Sequence, residues 1–235
     1  MLSFTNGNAK LGNHIAIFSL PAGYACPGAC ACLSKVVNGR IQDGPNTEFR
    51  CYAASMEVLF KRIHEHRMRN FNALRGKTKL EMAAMLNKAL PGHSIIRLHV
   101  SGDFFSQDYF DAWLMVAELN PNKIFYAYTK SLHFWATRLN QIPSNFRLVA
   151  SYGGKFDYLI KELNLVNAQV VFSPEQAQAL GLEIDKDDSH AIAANQSFAL
   201  LLHGTQPANT VAAKAWHKIK KTSGGYSRLT VKFKK

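Results

Sequence analysis

The four cysteines of this chain, Cys26, Cys30, Cys32 and Cys51, fall in one 26-residue window and nowhere else in 235 residues. Thiols scattered without purpose rarely collect in this way. The spacing, C-x3-C-x-C-x18-C, requires a fold that turns residues 21–53 back on themselves. Pro27-Gly28 and the small alanines beside it permit tight backbone turns around something the sulfurs share.

Three chemistries compete for these thiols. A disulfide framework needs export. The start, Met1-Leu-Ser-Phe-Thr-Asn-Gly-Asn8, lacks the basic stretch and apolar run of a secretion signal, and a reducing compartment disfavours disulfides. A structural zinc site usually joins knuckles with two to four residues between ligands. Cys26 and Cys30 fit that range, but Cys30-Ala31-Cys32 is cramped and Cys51 has no near partner. An iron–sulfur cubane asks for one protein sulfur per iron and so tolerates irregular spacing. A [4Fe-4S] cluster on Cys26, Cys30, Cys32 and Cys51 is the preferred reading, with a four-thiolate zinc site the alternative. Any one cysteine could be a small buried hydrophobe, an explanation that serves four clustered ones badly.

The length suits one domain, 1–235, with a full core, and 47% hydrophobic against 19% charged residues is a globular balance. No apolar run approaches the length of a membrane span, so a soluble, cytoplasmic protein is expected. Lysines and arginines outnumber acids 28 to 16, giving a net charge of +12. An oxidised all-cysteine cubane would remove only about 2 of that. Such a surface suits nucleic acid first and an acidic protein second; the plain alternative is solubility.

Along the chain, short β-branched or aromatic runs alternate with helical patterns. His14–Leu20 is expected to be the first strand, with the cysteine loop directly after it. Asn38-Gly39-Arg40 to Gly44-Pro45-Asn46 carries turn residues and suggests a hairpin within the loop. Cys51 then opens a helix whose apolar positions are Val58, Leu59, Ile63, Met68 and Phe71. Its other face, Lys61, Arg62, His64, His66, Arg67 and Arg69, reads as solvated, with phosphate contact the sharper alternative. Thr78 and Glu81 form a capping box for the next helix, which Pro91-Gly92 ends.

Strands are expected at 95–100, 123–128, 146–150, 168–172, 190–194 and 198–202, with helices after most of them. Ser106 or Asp108 starts the helix that runs to Leu119, and the last helix spans Thr210 to Lys221. A basic tail, about 214–235, ends in an expected strand from Arg228 to Lys235. This alternation implies an α/β fold with a parallel sheet, a partial or full (β/α) barrel. All strand ends would then meet on one face. That face gathers Ser101, Gly102, Asp103, Lys130, Ser151, Tyr152, Ser173 and His203 around the cysteine loop. Asp103, Lys130 and Tyr152 are the catalytic candidates; Ser101, Gly102, Asp103, Lys130 and Ser151 are the cofactor-binding ones.

Four stretches, Leu20-Pro-Ala-Gly-Tyr-Ala-Cys-Pro-Gly-Ala29, Arg50-Cys-Tyr-Ala53, His99-Val-Ser-Gly-Asp-Phe104 and Tyr126-Ala-Tyr-Thr-Lys130, resemble the gene-product-88-like proteins of bacteriophages and mobile elements. The resemblance covers about residues 10 to 155, and its motifs mark a family rather than an activity. It implies a phage-borne protein of the host cytoplasm with a cluster site on the four cysteines. More distantly, a cysteine loop after the first strand is similar to that of the radical S-adenosylmethionine enzymes. Their C-x3-C-x2-C loop leaves one iron open for the cofactor. Here the last pair is Cys30-x-Cys32 and a fourth cysteine is present, which would close that iron, and Ser101-Gly102-Asp103 only stands in for their glycine-rich stretch. S-adenosylmethionine belongs to this alternative alone.

Overall fold

A computed structural model describes residues 1–8 and 11–223; the strand expected at Arg228 to Lys235 lies outside the described residues. The chain opens with an antiparallel pair, β1 (Thr5–Asn8) and β2 (Gly12–Phe18). The excursion is a hairpin of β3 (Ser34–Val37) and β4 (Arg40–Asp43), with Asn38 and Gly39 both at positive φ as a tight two-residue turn requires.

Three helices follow. The single helix expected after Cys51 is two, α1 (Tyr52–Leu59) and α2 (Lys61–Leu74), broken at Phe60, whose φ of −125° and ψ of 88° are not helical. The break lets polar side chains of α2 fold back onto α1. As a result α2 buries Arg67, Asn70 and Leu74, while Leu59 and Phe60 are exposed. The helix α3 (Lys79–Ala89) begins with the capping box of Thr78 and Glu81.

The rest is strand–helix alternation: β5 (Ile95–Leu98), α4 (Gln107–Glu118), β6 (Ile124–Thr129), α5 (Leu132–Ala136), β7 (Phe146–Ser151), α6 (Tyr158–Glu162), β8 (Asn167–Val171), α7 (Pro174–Ala179), α8 (Ser189–Ala193), β9 (Phe198–Leu201) and α9 (Val211–Ser223). Ser106 caps α4 by accepting from the Tyr109 amide. The expected strand at 190–194 is the helix α8. The Asp185 carboxylate accepts from the amides of Asp188 and His190 and closes a turn there, and the alanines that follow favour helix over strand.

Among the described residues, seven strands form one sheet in the order β1-β2-β5-β6-β7-β8-β9. From β2 to β9 every neighbouring pair is parallel, and each crossover moves one place in the same direction. Among the described residues this sheet is open, not a closed barrel. Antiparallel β1 occupies one edge, and Ile184 bridges to Ala199 on the outer side of β9 at the other. Each edge that closure would join is therefore covered by the chain itself.

Both faces of the strands are apolar, as a parallel sheet needs. Ala16, Phe18, Ile96, Leu98, Phe125, Ala127, Leu148 and Ala150 face the main core, where Leu74, Met82, Leu86, Tyr109, Phe110, Trp113, Leu132, Trp135 and Ile160 of α2–α6 cover them. The second face carries Ile15, Ile17, Tyr126, Val149 and Phe198 beneath Ala191 of α8.

Candidate functional site

The cysteine loop leaves β2 and lies across the C-terminal ends of the neighbouring strands. Its backbone is bound there. Leu20 N–H donates to Ser101 O at the end of β5. Cys30 and Ala31 N–H both donate to Gly153 O beyond β7, at 3.1 and 2.9 Å. Lys155 N–H donates to Gly28 O, and Lys155 Nζ to Pro27 O, each at 2.8 Å. A Cβ on Gly28 would stand 2.2 Å from Lys130 O, so only glycine lets the loop approach β6 this closely. Gly102, at φ +81°, packs in the same way against Leu20.

A second clasp comes from the far end of the sheet. Arg50 N–H donates to Gln206 Oε1 at 2.7 Å, Gln206 Nε2 returns a bond to Arg50 O, and Ser55 Oγ donates to Thr205 O. His203 packs on Tyr52, the residue after Cys51.

All four thiols are unpaired and half-buried. Cys26, Cys32 and Cys51 lie in electrostatic range of one another. Burial, then the Asp103 and Cys51 charges, push the Cys26 thiol well up. Burial, then Cys32, push Cys51 up to about 11, although the N–H groups of Ala54 and Ala53 at the start of α1 act in the other direction. Cys30 is held by its backbone to Gly153. Among the described residues, no three His, Cys, Asp or Glu side chains are grouped so as to hold a metal ion.

Beneath the loop, Glu57 of α1 is fully buried. It accepts from Ala22 N–H (2.9 Å), Ser101 Oγ (2.9 Å), Arg67 Nη1 (2.9 Å) and His64 Nδ1 (2.8 Å). It thereby ties the first residues of the cysteine loop, the end of β5 and both halves of the broken helix. Arg67 and His64 thus turn inward, away from the solvated basic face the sequence suggested; Lys61, Arg62 and Arg69 remain outside. Sequence reasoning missed Glu57. Its partners His64 and Arg67 stand too far along a straight helix to reach it, so only the break at Phe60 brings them together, and no local pattern marks it.

The strand-end residues separate into two sets. Asp103 is buried and accepts from Thr129 Oγ1 (2.7 Å), Lys130 N–H (2.8 Å) and Phe104 N–H (2.7 Å). Burial raises its pKa despite those bonds. Lys130 Nζ donates to Ser151 Oγ at 2.5 Å. Asp103, Lys130 and Ser151 are therefore joined across β5, β6 and β7, with Asp103 beside Cys26. Ser101 belongs to the Glu57 group. Tyr152 does not join them: its ring packs against the main core on the opposite face. Ser173 caps α7, and His203 belongs to the Gln206 clasp. Of the aromatics that could stack on bases, Phe71 rests on Phe105 of the main core and Trp216 packs against the cluster under α9. Phe60 is exposed, and Tyr226 lies outside the described residues.

A family model described as Gene product 88 matches residues 2–221. The chain belongs to this family. Among its gene product 88 relatives are the Gene 88 proteins of Mycobacterium phage L5, 29% identical over 156 residues, and of Mycobacterium phage D29, 28% identical over 156 residues. Each alignment covers 60% of this chain and 59% of the relative, so the chain spans about three fifths of the length of the curated proteins it matches. No solved structure matches the chain. Among the described residues of this gene product 88 protein, no helix is long and apolar enough to cross a membrane.

Proposed function

We propose that the protein binds a [4Fe-4S] cluster through Cys26, Cys30, Cys32 and Cys51 and uses it in a structural or redox role. The observation that carries this is the fastening of the cysteine loop. Hydrogen bonds from the ends of β5 and β7, the Gln206 clasp and buried Glu57 all hold one stretch that contains every thiol of the chain. Such fastening is more than a loop of free thiols needs. The Cys26 and Cys51 thiols, whose pKa values burial raises, call for a cation if they are to be thiolates, and iron would supply that charge. A single zinc ion is less favoured. Structural zinc sites usually join knuckles with two to four residues between ligands, whereas Cys30-Ala31-Cys32 is cramped and Cys51 has no near partner in sequence. A cubane takes one thiolate at each iron and suits the irregular spacing.

When bound, the cluster would supply one-electron chemistry or cross-link the loop. Asp103 holds the end of β6 against the segment that follows β5, and Lys130 holds β7 through Ser151. The exposed basic residues would dock an anionic partner, nucleic acid or acidic protein.

The alternative is a radical S-adenosylmethionine-type enzyme that uses three of the cysteines. It is favoured only by the loop's position over the strand ends, where Lys130 and Ser151 would face a bound cofactor. The test is electron paramagnetic resonance of anaerobically purified, dithionite-reduced protein, with iron and sulfide analysis. We expect a reduced-cubane signal unchanged by S-adenosylmethionine, and its loss in Cys51→Ala. A signal that shifts with the compound moves the enzyme reading forward; zinc without iron overturns both.

A further inference from the structure

The second face of the sheet holds a charged group that the cysteine site does not use. Arg97 of β5 stands beside Tyr126 of β6 in the parallel register, and its guanidinium lies over the rings of Tyr126 and Tyr128, 5.9 and 5.2 Å from their centres. Into this trio comes Asp188, 1% exposed, from a strap that covers the face. The strap runs beside β9 at Ile184, turns at Asp185–Asp188, and packs α8 against the sheet. Asp188 Oδ2 pairs with Arg97 Nη1 and accepts from Tyr126 OH at 3.1 Å; Oδ1 accepts from Tyr128 OH at 3.4 Å.

We propose that Arg97, Tyr126 and Tyr128 form a receptor for a singly charged carboxylate ligand, which Asp188 occupies from within the chain and an external carboxylate displaces. Two observations support a receptor over a fixed ion pair. First, among the described residues Arg97 Nε is buried without an acceptor. The tethered Asp188 engages the guanidinium through Nη1, whereas a free carboxylate can take the two-point contact the planar fork offers. A buried donor left over in this way calls for an explanation. Second, the strap is strained where it must bend. Ala194, at the C-terminal end of α8, has a φ of +49°, a region that alanine enters at a cost, and Asp188 at the start has a φ of +66°, which aspartate tolerates better. Displacement of Asp188 frees the strap to leave that conformation. The ligand's class follows from the site: one guanidinium for one negative charge, two phenolic donors, and apolar walls of Ile15, Ile17, Val149 and Phe198.

The test uses the full chain and acetate as probe, against chloride at equal ionic strength. Hydrogen exchange is followed at the strap amides of Asp188, His190, Ile192 and Ala194, all hydrogen-bonded inside the strap. Acetate is expected to speed their exchange severalfold in the wild type while the amides of β5 and β6 stay unchanged. By calorimetry, Asp188→Asn is expected to bind acetate about tenfold more tightly than the wild type, and Asp188→Asn with Arg97→Gln to lose that binding. Strap exchange identical in acetate and chloride overturns displacement, and does so in the wild type even if the variants fail to fold. An Asp188→Asn protein that binds no more acetate than the wild type overturns the receptor. An equal response to inorganic phosphate overturns the carboxylate class.

Discussion

Glu57 receives four donors from three segments of the chain, and its side chain does not reach solvent. Removing its charge strands the Arg67 guanidinium in the interior. Glu57→Gln is expected to cost about 3 kcal/mol in urea unfolding, and Glu57→Gln with Arg67→Met to recover part of that, since apolar groups tolerate the same burial. His99, at the end of β5, poses the opposite problem. It is buried at φ +64° with one ring nitrogen near Tyr109 OH, and burial, then the Arg97 charge, push its pKa down to about 3. The unfolded chain takes up the histidine proton near pH 6.5, and the folded protein does not until about pH 3. Stability from this residue is therefore full above about 6.5 and falls by about 1.4 kcal/mol per pH unit as the pH drops through that window. The difference between wild type and His99→Asn isolates the slope, because other titrating groups cancel. Neither residue was legible as a site. Glu57 sat in a helix read by its apolar stripe, and His99 looked like one more position in a β-branched strand.

At the scale of elements, local chemistry was the most readable part of the chain. The capping box of Thr78 and Glu81, the Ser106 cap and the Asn38-Gly39 turn each state their geometry within a few residues. Thr78→Ala is expected to lower the unfolding temperature by about 2–4 °C, the usual cost of a lost cap in a chain of this size. The cysteine loop depends on backbone approach. Gly28→Ala would place a methyl group against Lys130 O and is expected to lift the loop from β6. Faster amide exchange at Cys30 and Ala31, with the main core unchanged, would report it. What local patterns could not reveal was context. The helix after Cys51 breaks at Phe60 because Arg67 and His64 reach back to Glu57, a tertiary demand with no local mark. The helix at Ser189–Ala193 reads as a strand until Asp185 is seen to close its first turn.

For the whole molecule, the alternation of strands and helices was enough for a parallel sheet with the cysteine loop at its C-terminal edge. It was not enough to decide closure. That depends on β1, whose Thr-Asn-Gly-Asn has little strand character, and on the short run at Ile184 that covers the other edge. The clasp between Gln206 and Arg50 has a consequence in time. Its partners are 156 residues apart in sequence. The stretch that carries the four thiols leaves the ribosome well before the segment that fastens it, which follows β9. The loop thus stays without this clasp while the intervening residues are made, and the route by which anything reaches the thiols narrows when β9 joins the sheet and Gln206 reaches Arg50.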